Sequence, residues 1–308
     1  MSLFTENTTL IIPTRNRHKN LINLLSQIKL YKIKFFEILI IDSSDGDSKN
    51  ILRKNSEKFK YKYFHTQSST SYQRNFGLKK RNRFTKFVMF LDDDVIFFKD
   101  TFYEMNKTIK KFNNNSSVKA FGFNQIDIKY KKDCFEKLKS SKLIKLLGIY
   151  SDKPGSVLIS GWHTKILNLK KDSYVDWIYT TACVYNSNTI NNLKFNETFG
   201  QYSYLEDLDF SLNLRNFNNK IIVSSSAKFM HPLNIDRSSF YFGITEVVNR
   251  YKIVDKHKLQ KKKFYFMVCL RFFFSFFLIF FLKVNLFKRA IGNIFGIFKC
   301  MKLQKSLR

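Results

Sequence analysis

Along the first 125 residues, short apolar runs alternate with stretches in which apolar residues recur every three or four positions. TTLIIP (Thr8–Pro13) is an apolar run bounded by polar residues, which predicts a short buried strand. NLINLLSQI places Leu21, Leu24, Leu25 and Ile28 on one helical face. EILIID (Glu37–Asp42) predicts a second strand, and SSDGDSKNILRK a turn with a helix cap at Asp47 or Ser48. YKYFH (Tyr61–His65), SYQRNFGLKKR and FVMFL (Phe87–Leu91) predict strand, helix and strand. Such alternation implies an α/β fold with a doubly wound, mostly parallel sheet, in which ligands gather at the carboxyl ends of the strands. Asp42 and the triplet Asp92, Asp93 and Asp94 sit at such ends.

From about residue 126 to 173 the chain is less regular and rich in Lys and Ser. YVDWIYTTACVYNSNTI then predicts a strand leading into a turn. In FNETFGQYSYLEDLDFSLNLRN, Leu205, Leu208, Leu212 and Arg215 share a helical face with Glu206 and Asp209 beside it. Carboxylates thus open a helix, where the macrodipole favours negative charge.

Past Asn249 the pattern changes to a basic run, RYKIVDKHKLQKKK, and a 19-residue apolar stretch, Phe264–Leu282, broken by Arg271 and Ser275. That length just suffices for a bilayer, but a central arginine costs a few kcal/mol, and basic flanks on both sides oppose spanning. From Val284 a helical wheel groups Val284, Leu286, Phe287, Ala290, Ile291, Ile294, Phe295, Ile297 and Phe298 against Asn285, Lys288, Arg289, Gly292, Asn293, Gly296 and Lys299. The expectation is a helix lying in an anionic membrane interface, the alternative a helix packed on the rest of the protein. The predicted division is a domain over 1–249, with halves 1–125 and 126–249, and a membrane-associated segment over 250–308.

Composition adds a formal charge of +30, from 54 Lys+Arg against 24 Asp+Glu, so the chain attracts anions. Neither an RRM, a KH nor a zinc-finger pattern accompanies that charge, and no specific nucleic-acid partner is expected. Cys134, Cys183, Cys269 and Cys300 form no CxxC pair, which fits a reducing cytoplasm. No secretory signal is read at the start, MSLFTENTTLIIPTRNR.

Three adjacent carboxylates repel one another, and a hard divalent ion, Mg²⁺ or Mn²⁺, supplies the missing charge through oxygen ligands. The plain alternative is a solvated acidic turn. For LEDLDF the alternatives are decoration of a helix start or a catalytic base. Taken together with Asp42, these groups suggest a metal and diphosphate site faced by a carboxylate base.

On six pieces in order, LIIPTRNR, ILIIDSSDGD, SYQRNFGLKK, FVMFLDDDVIF, VDWIYTTACVYNS and FNETFGQYSYLEDLDFSLNLR, the chain resembles glycosyltransferase family 2 over about residues 7–232. The resemblance implies a GT-A fold and inverting transfer from a UDP-, GDP- or dTDP-linked sugar to a saccharide or lipid-linked hydroxyl. It implies that Thr14 and Asp42 line the base pocket, with Arg74 and Asn75 beside the nucleotide. Asp92 and Asp93 would contact the donor, and Asp94, with Asp92, the metal. Asp207 would be the general base and Glu206 a support for the acceptor. His231 is either a metal ligand or a structural histidine before Pro232. Thr180 and Thr181 stand where relatives often have glycine, and DSSDGD replaces the commoner DDGS. Trp162 and Trp177 would stack on a sugar or lie in the core. The first strand lacks the glycine-rich loop of a nucleotidyltransferase or phosphotransferase, and the retained carboxylates argue against an inactive scaffold. The expected location is the cytoplasmic face of the cell membrane, peripheral or monotopic.

Overall fold

The computed structural model describes residues 3–46, 60–112, 115–128, 142–146, 148–232, 237–279 and 284–306. The helix start expected at Asp47 or Ser48, Cys134 and the end of the apolar stretch at 280–282 lie outside them. The chain divides into two compact units. The first comprises Met1–Tyr130 and Lys165–Pro232, the second Lys131–Thr164 and Leu233–Arg308. The division expected at residue 249 falls inside a helix of the second unit, Phe240–Lys256.

In the first unit the sheet is mixed α/β, as the alternation predicts. Strands β1 (Thr8–Thr14), β2 (Glu37–Asp42), β3 (Lys62–His65) and β4 (Phe87–Leu91) lie in the order β3-β2-β1-β4 and are all parallel. Every residue of β1 and β2 is buried, which is why both read as near-continuous apolar runs. Beyond β4 come β8 (Ala182–Asn186), β6 (Val118–Gln125), β9 (Lys220–Met230) and the two-residue β5 (Ile96–Phe97); β7 (Ser173–Val175) pairs with β9. Here β8 runs antiparallel to both neighbours, and β6 and β9 are parallel.

Helices α1 (His18–Leu30), α2 (Thr70–Lys80), α3 (Thr101–Phe112) and α4 (Glu206–Arg215) belong to this unit. Leu21, Leu24, Leu25 and Ile28 of α1 and Phe102, Met105 and Ile109 of α3 pack into the sheet's main core with Leu10, Ile12 and Ile40. Gly77 lets α2 approach β1: a Cβ there would meet Ile11 Cγ2 at 2.5 Å. That close approach positions Arg74, one turn earlier on α2. Before α4, buried Leu205 holds φ +73°, left-handed backbone that costs a leucine on the order of 1–2 kcal/mol.

The second unit contains α5 (Phe240–Lys256), α6 (Lys261–Ile279) and α7 (Val284–Ser306). Its core joins Trp162, Val247, Tyr251, Val254, Phe264, Met267, Val268 and Cys300. Helix α7 packs through Ala290, Gly292, Asn293, Gly296 and Cys300, whereas Phe295 and Phe298 are more than half exposed. The wheel had set Gly292, Asn293 and Gly296 on the outer, polar face. Glycine reverses it: the Gly292 and Gly243 backbones touch α5 and α7 so closely that a Cβ on either would overlap a main-chain oxygen, of Phe240 or Arg289. Among the described residues no helix is long and apolar enough to cross a membrane.

Candidate functional site

Thr14, Asp42 and the triplet lie in the first unit at the carboxyl ends of β1, β2 and β4, with His231 at the exit of β9 and Glu206 and Asp207 opening α4. Asp42 closes β2 and is fully buried. Its Oδ1 accepts from the Ser44 amide (2.8 Å) and hydroxyl (2.5 Å), and its Oδ2 from the Tyr63 hydroxyl (2.8 Å). It thereby fixes the loop after β2. Thr14, at the end of β1, donates its hydroxyl to Asp93 Oδ2 at 2.5 Å. Burial pushes the Asp93 carboxyl up to about 7, helped by Asp94 and opposed by the Thr14 hydrogen bond and Arg17.

Arg17, which sequence reasoning did not single out, stands over the triplet: Nη1 lies 2.8 Å from Asp94 Oδ2 and 3.4 Å from Asp93 Oδ1. Its place, three residues past the end of β1, was the available signal. On the other side of Asp94, His231 Nε2 is 2.8 Å from Oδ1. Burial acts to raise the Asp94 pKa, but His231 and Arg17 hold it below the usual carboxylate range. Burial likewise opposes charge on His231, and Asp94 outweighs it, so the imidazole pKa is raised.

Asp92 and Glu206 are tied by one arginine. Arg74, 2% exposed, donates Nη2 to Asp92 at 2.8 Å and Nη1 to Glu206 Oε1, and its guanidinium lies 5.7 Å from the centre of the Phe195 ring. Glu206 also accepts from Ser71 (3.0 Å) and Thr180 (3.4 Å), so Thr180 occupies a hydrogen-bonding role here. The Asp92 amide donates to the Thr181 carbonyl at 2.9 Å. Asn75 is engaged elsewhere: its amide spans Phe195 and Glu197, at 2.9 and 2.7 Å, and receives the Phe195 N–H. Asp207 is half-buried in the first turn of α4, its Oδ1 accepting from the Leu208 amide at 2.8 Å. Trp177 is buried in this unit and Trp162 in the other, so neither offers an open stacking face.

Among the described residues no three His, Cys, Asp or Glu groups converge as a metal cage. The donor set nevertheless fits a divalent ion shared with a phosphate. Asp94 Oδ1 is buried and, His231 aside, without a partner among the described residues, giving one hard oxygen beside one imidazole nitrogen. What the arrangement can do is present a carboxylate from the exit of β4 beside a histidine from the exit of β9, with Arg17 able to meet a diphosphate and a carboxylate pair on α4 tied to Asp92 through Arg74.

The profile described as "Glycosyl transferase family 2" matches residues 9–156. Two curated proteins described as uncharacterized glycosyltransferases, from Rickettsia conorii and Rickettsia felis, are 37% and 36% identical over 94 residues. Those residues are 30% of this chain, and the match spans only 15% of each relative. The crystal structure of S. aureus TarS 1-349 superposes with a TM-score of 0.51 at 18% identity, over 95% of this chain and 80% of that one. The mannosyltransferase from Pyrobaculum calidifontis, solved with GDP-Man and Mn²⁺, superposes with a TM-score of 0.58 at 13% identity, over 96% and 87%. Both likenesses are of fold, the GT-A type of α/β sheet. Residues 9–156, a little under half of the chain, thus match glycosyl transferase family 2, on a fold of the GT-A type.

Proposed function

We propose that the protein is an inverting glycosyltransferase that moves a sugar from a nucleoside-diphosphate donor to a hydroxyl of a saccharide or lipid-linked acceptor in surface glycan assembly. The observation that carries the reading is the strand-end triplet Asp92–Asp94 joined through Arg74 to the Glu206–Asp207 pair of α4, within a family 2 domain. Thr14 and Asp42 shape the floor on which the base rests, with Asp93 behind Thr14. Asp94 and His231, with Asp92, would hold Mn²⁺ or Mg²⁺, which when bound stabilises negative charge on the departing diphosphate. Arg17, beside Asp94, offers a second cation to the same phosphates. Asp207 accepts the proton of the acceptor hydroxyl as its oxygen attacks the anomeric carbon, and a single displacement inverts that centre. Glu206 and Arg74 set the position of α4, and so of Asp207, relative to Asp92.

Exposed Phe266 and Phe273 on α6, and Phe295 and Phe298 on α7, with exposed Lys262, Lys263, Lys288, Lys299 and Lys302, support peripheral attachment to an anionic cytoplasmic membrane face. Thermal stabilisation by UDP, GDP, dTDP and CMP, each with Mn²⁺ and with EDTA, tests the donor site. A metal-dependent shift with a nucleoside diphosphate that is lost in Asp94→Ala is expected; no shift with any nucleotide in the folded protein overturns the reading.

A further inference from the structure

In the second unit, three guanidiniums converge on one sealed carboxylate. Glu246 of α5 is 1% exposed; Arg289 of α7 reaches its Oε2 through Nε (3.0 Å) and Nη2 (2.8 Å). Arg271 of α6 lies 3.4 Å and Arg250 of α5 3.8 Å from Oε1. Arg250 also donates to the Gly161 carbonyl at 2.6 Å and covers the Trp162 ring at 4.5 Å. His163, 3.3 Å from Arg250, adds no charge, because burial and the nearby arginines keep its imidazole neutral. Among the described residues Arg271 and Arg289 share Glu246 as their carboxylate, so this pair carries one positive charge more than that carboxylate answers.

Two guanidiniums held beside one sealed carboxylate repel each other unless water or an anion answers the extra charge, and apolar residues would pack these helices more cheaply. The surplus also has an opening. Arg271 is 34% and Arg289 16% exposed, whereas Arg250 and Glu246 are closed off. Planar guanidinium forks match phosphate oxygens in pairs, and a phosphate supplies the negative charge that Arg271 and Arg289 share too little of. We propose that Arg271 and Arg289, backed by Arg250, form a binding site for a phosphate group, distinct from the donor site and independent of it. The phosphate arrives either on a lipid headgroup or as a soluble anion; the recognition chemistry is the same.

Trp162 lies under Arg250 and 6.0 Å from Arg271, so it reports on the site directly. In the full chain carrying Trp177→Phe, with EDTA and ionic strength held by KCl, inorganic phosphate and pyrophosphate are titrated while Trp162 emission and thermal stability are followed. A saturable change is expected, weakened about tenfold or more by Arg271→Gln, which removes a charge-assisted contact. Glu246→Gln removes the competing carboxylate and is expected to tighten phosphate binding, an effect opposite in sign to any loss of packing. Vesicles of phosphatidylcholine with phosphatidic acid, against phosphatidylglycerol at matched surface charge, separate the sources: preference for phosphatidic acid assigns a headgroup, response to soluble phosphate alone a free anion. No saturable response beyond matched chloride in the folded protein, or one unchanged by Arg271→Gln, overturns the proposal. Because the reporter and the cluster lie in the second unit and no metal is present, the result is separate from the fate of the donor-site reading.

Discussion

Replacing Arg74 by methionine removes the cation that joins α2, the triplet and α4, while keeping an unbranched apolar stem. The Arg74 side chain is 2% exposed, Glu206 8% and Asp92 26%. After the change, Glu206 stays buried with the hydroxyls of Ser71 and Thr180 as its remaining donors. Breaking a buried ion pair from one side costs about 3–5 kcal/mol. Two surviving hydrogen bonds, each worth about 1 kcal/mol, bring the expected loss to the lower end of that range, about 3 kcal/mol. Asp92 is a quarter exposed, so water replaces its partner at little cost. Adding Glu206→Gln removes the stranded charge and should recover about 2 kcal/mol, a strongly non-additive pair. Urea unfolding in a Trp162→Phe background follows the first unit alone through Trp177. A loss under about 1 kcal/mol for Arg74→Met, or simple additivity in the double variant, would refute the view that charge pairing fixes α4 against the triplet.

Burial acts to raise the Glu246 pKa, but Arg271, Arg289 and Arg250 bring it down from 4.5 to about 2. With the folded value below the unfolded one, the second unit has this stabilisation in full above pH 4.5 and loses it as pH falls toward about 2. The amount is about 3 kcal/mol, visible in an acid titration of Trp162 emission, and Glu246→Gln should flatten that slope; an equal slope in the variant contradicts it. Gly292→Ala and Gly243→Ala force α5 and α7 apart and should each cost about 1–3 kcal/mol, read as a lower Tm by circular dichroism; unchanged melting would show the helices can separate freely. Asp207→Asn should slow sugar transfer about 10²–10⁴-fold with donor-induced stabilisation intact, and a loss under about tenfold would remove Asp207 from the base role.

The strands that carry the site were legible because each is a local event: an apolar run ending in a carboxylate, as in EILIID or FVMFLDDD, shows both the strand and its exit. The carboxylates of α4 were legible for the same reason. Their partners were not. Arg17 on Asp94, Arg74 on Glu206 and Ser71 on Glu206 span 77, 132 and 135 residues, and no periodicity records a contact of that kind. The packed side of α7 was misread because a helical wheel weighs side chains, whereas Gly292 and Gly296 pack by lacking them. Asn75, expected beside the nucleotide as part of an RN pair, gives its amide to Phe195 and Glu197, partners 120 and 122 residues away.

The order of strands in the sheet differs from their order of synthesis, and that sets where the protein can be cut. Strand β8 lies between β4 and β6, and β9 beyond β6, yet both are made after the segment 131–164 that belongs to the other unit. A nascent chain that has reached residue 156, where the family profile ends, carries β4 and β6 with nothing hydrogen-bonded between them. Such bare edges are templates for pairing with other chains. A fragment trimmed to the profile therefore should aggregate, and the sheet closes during translation only when Met230 has left the ribosome.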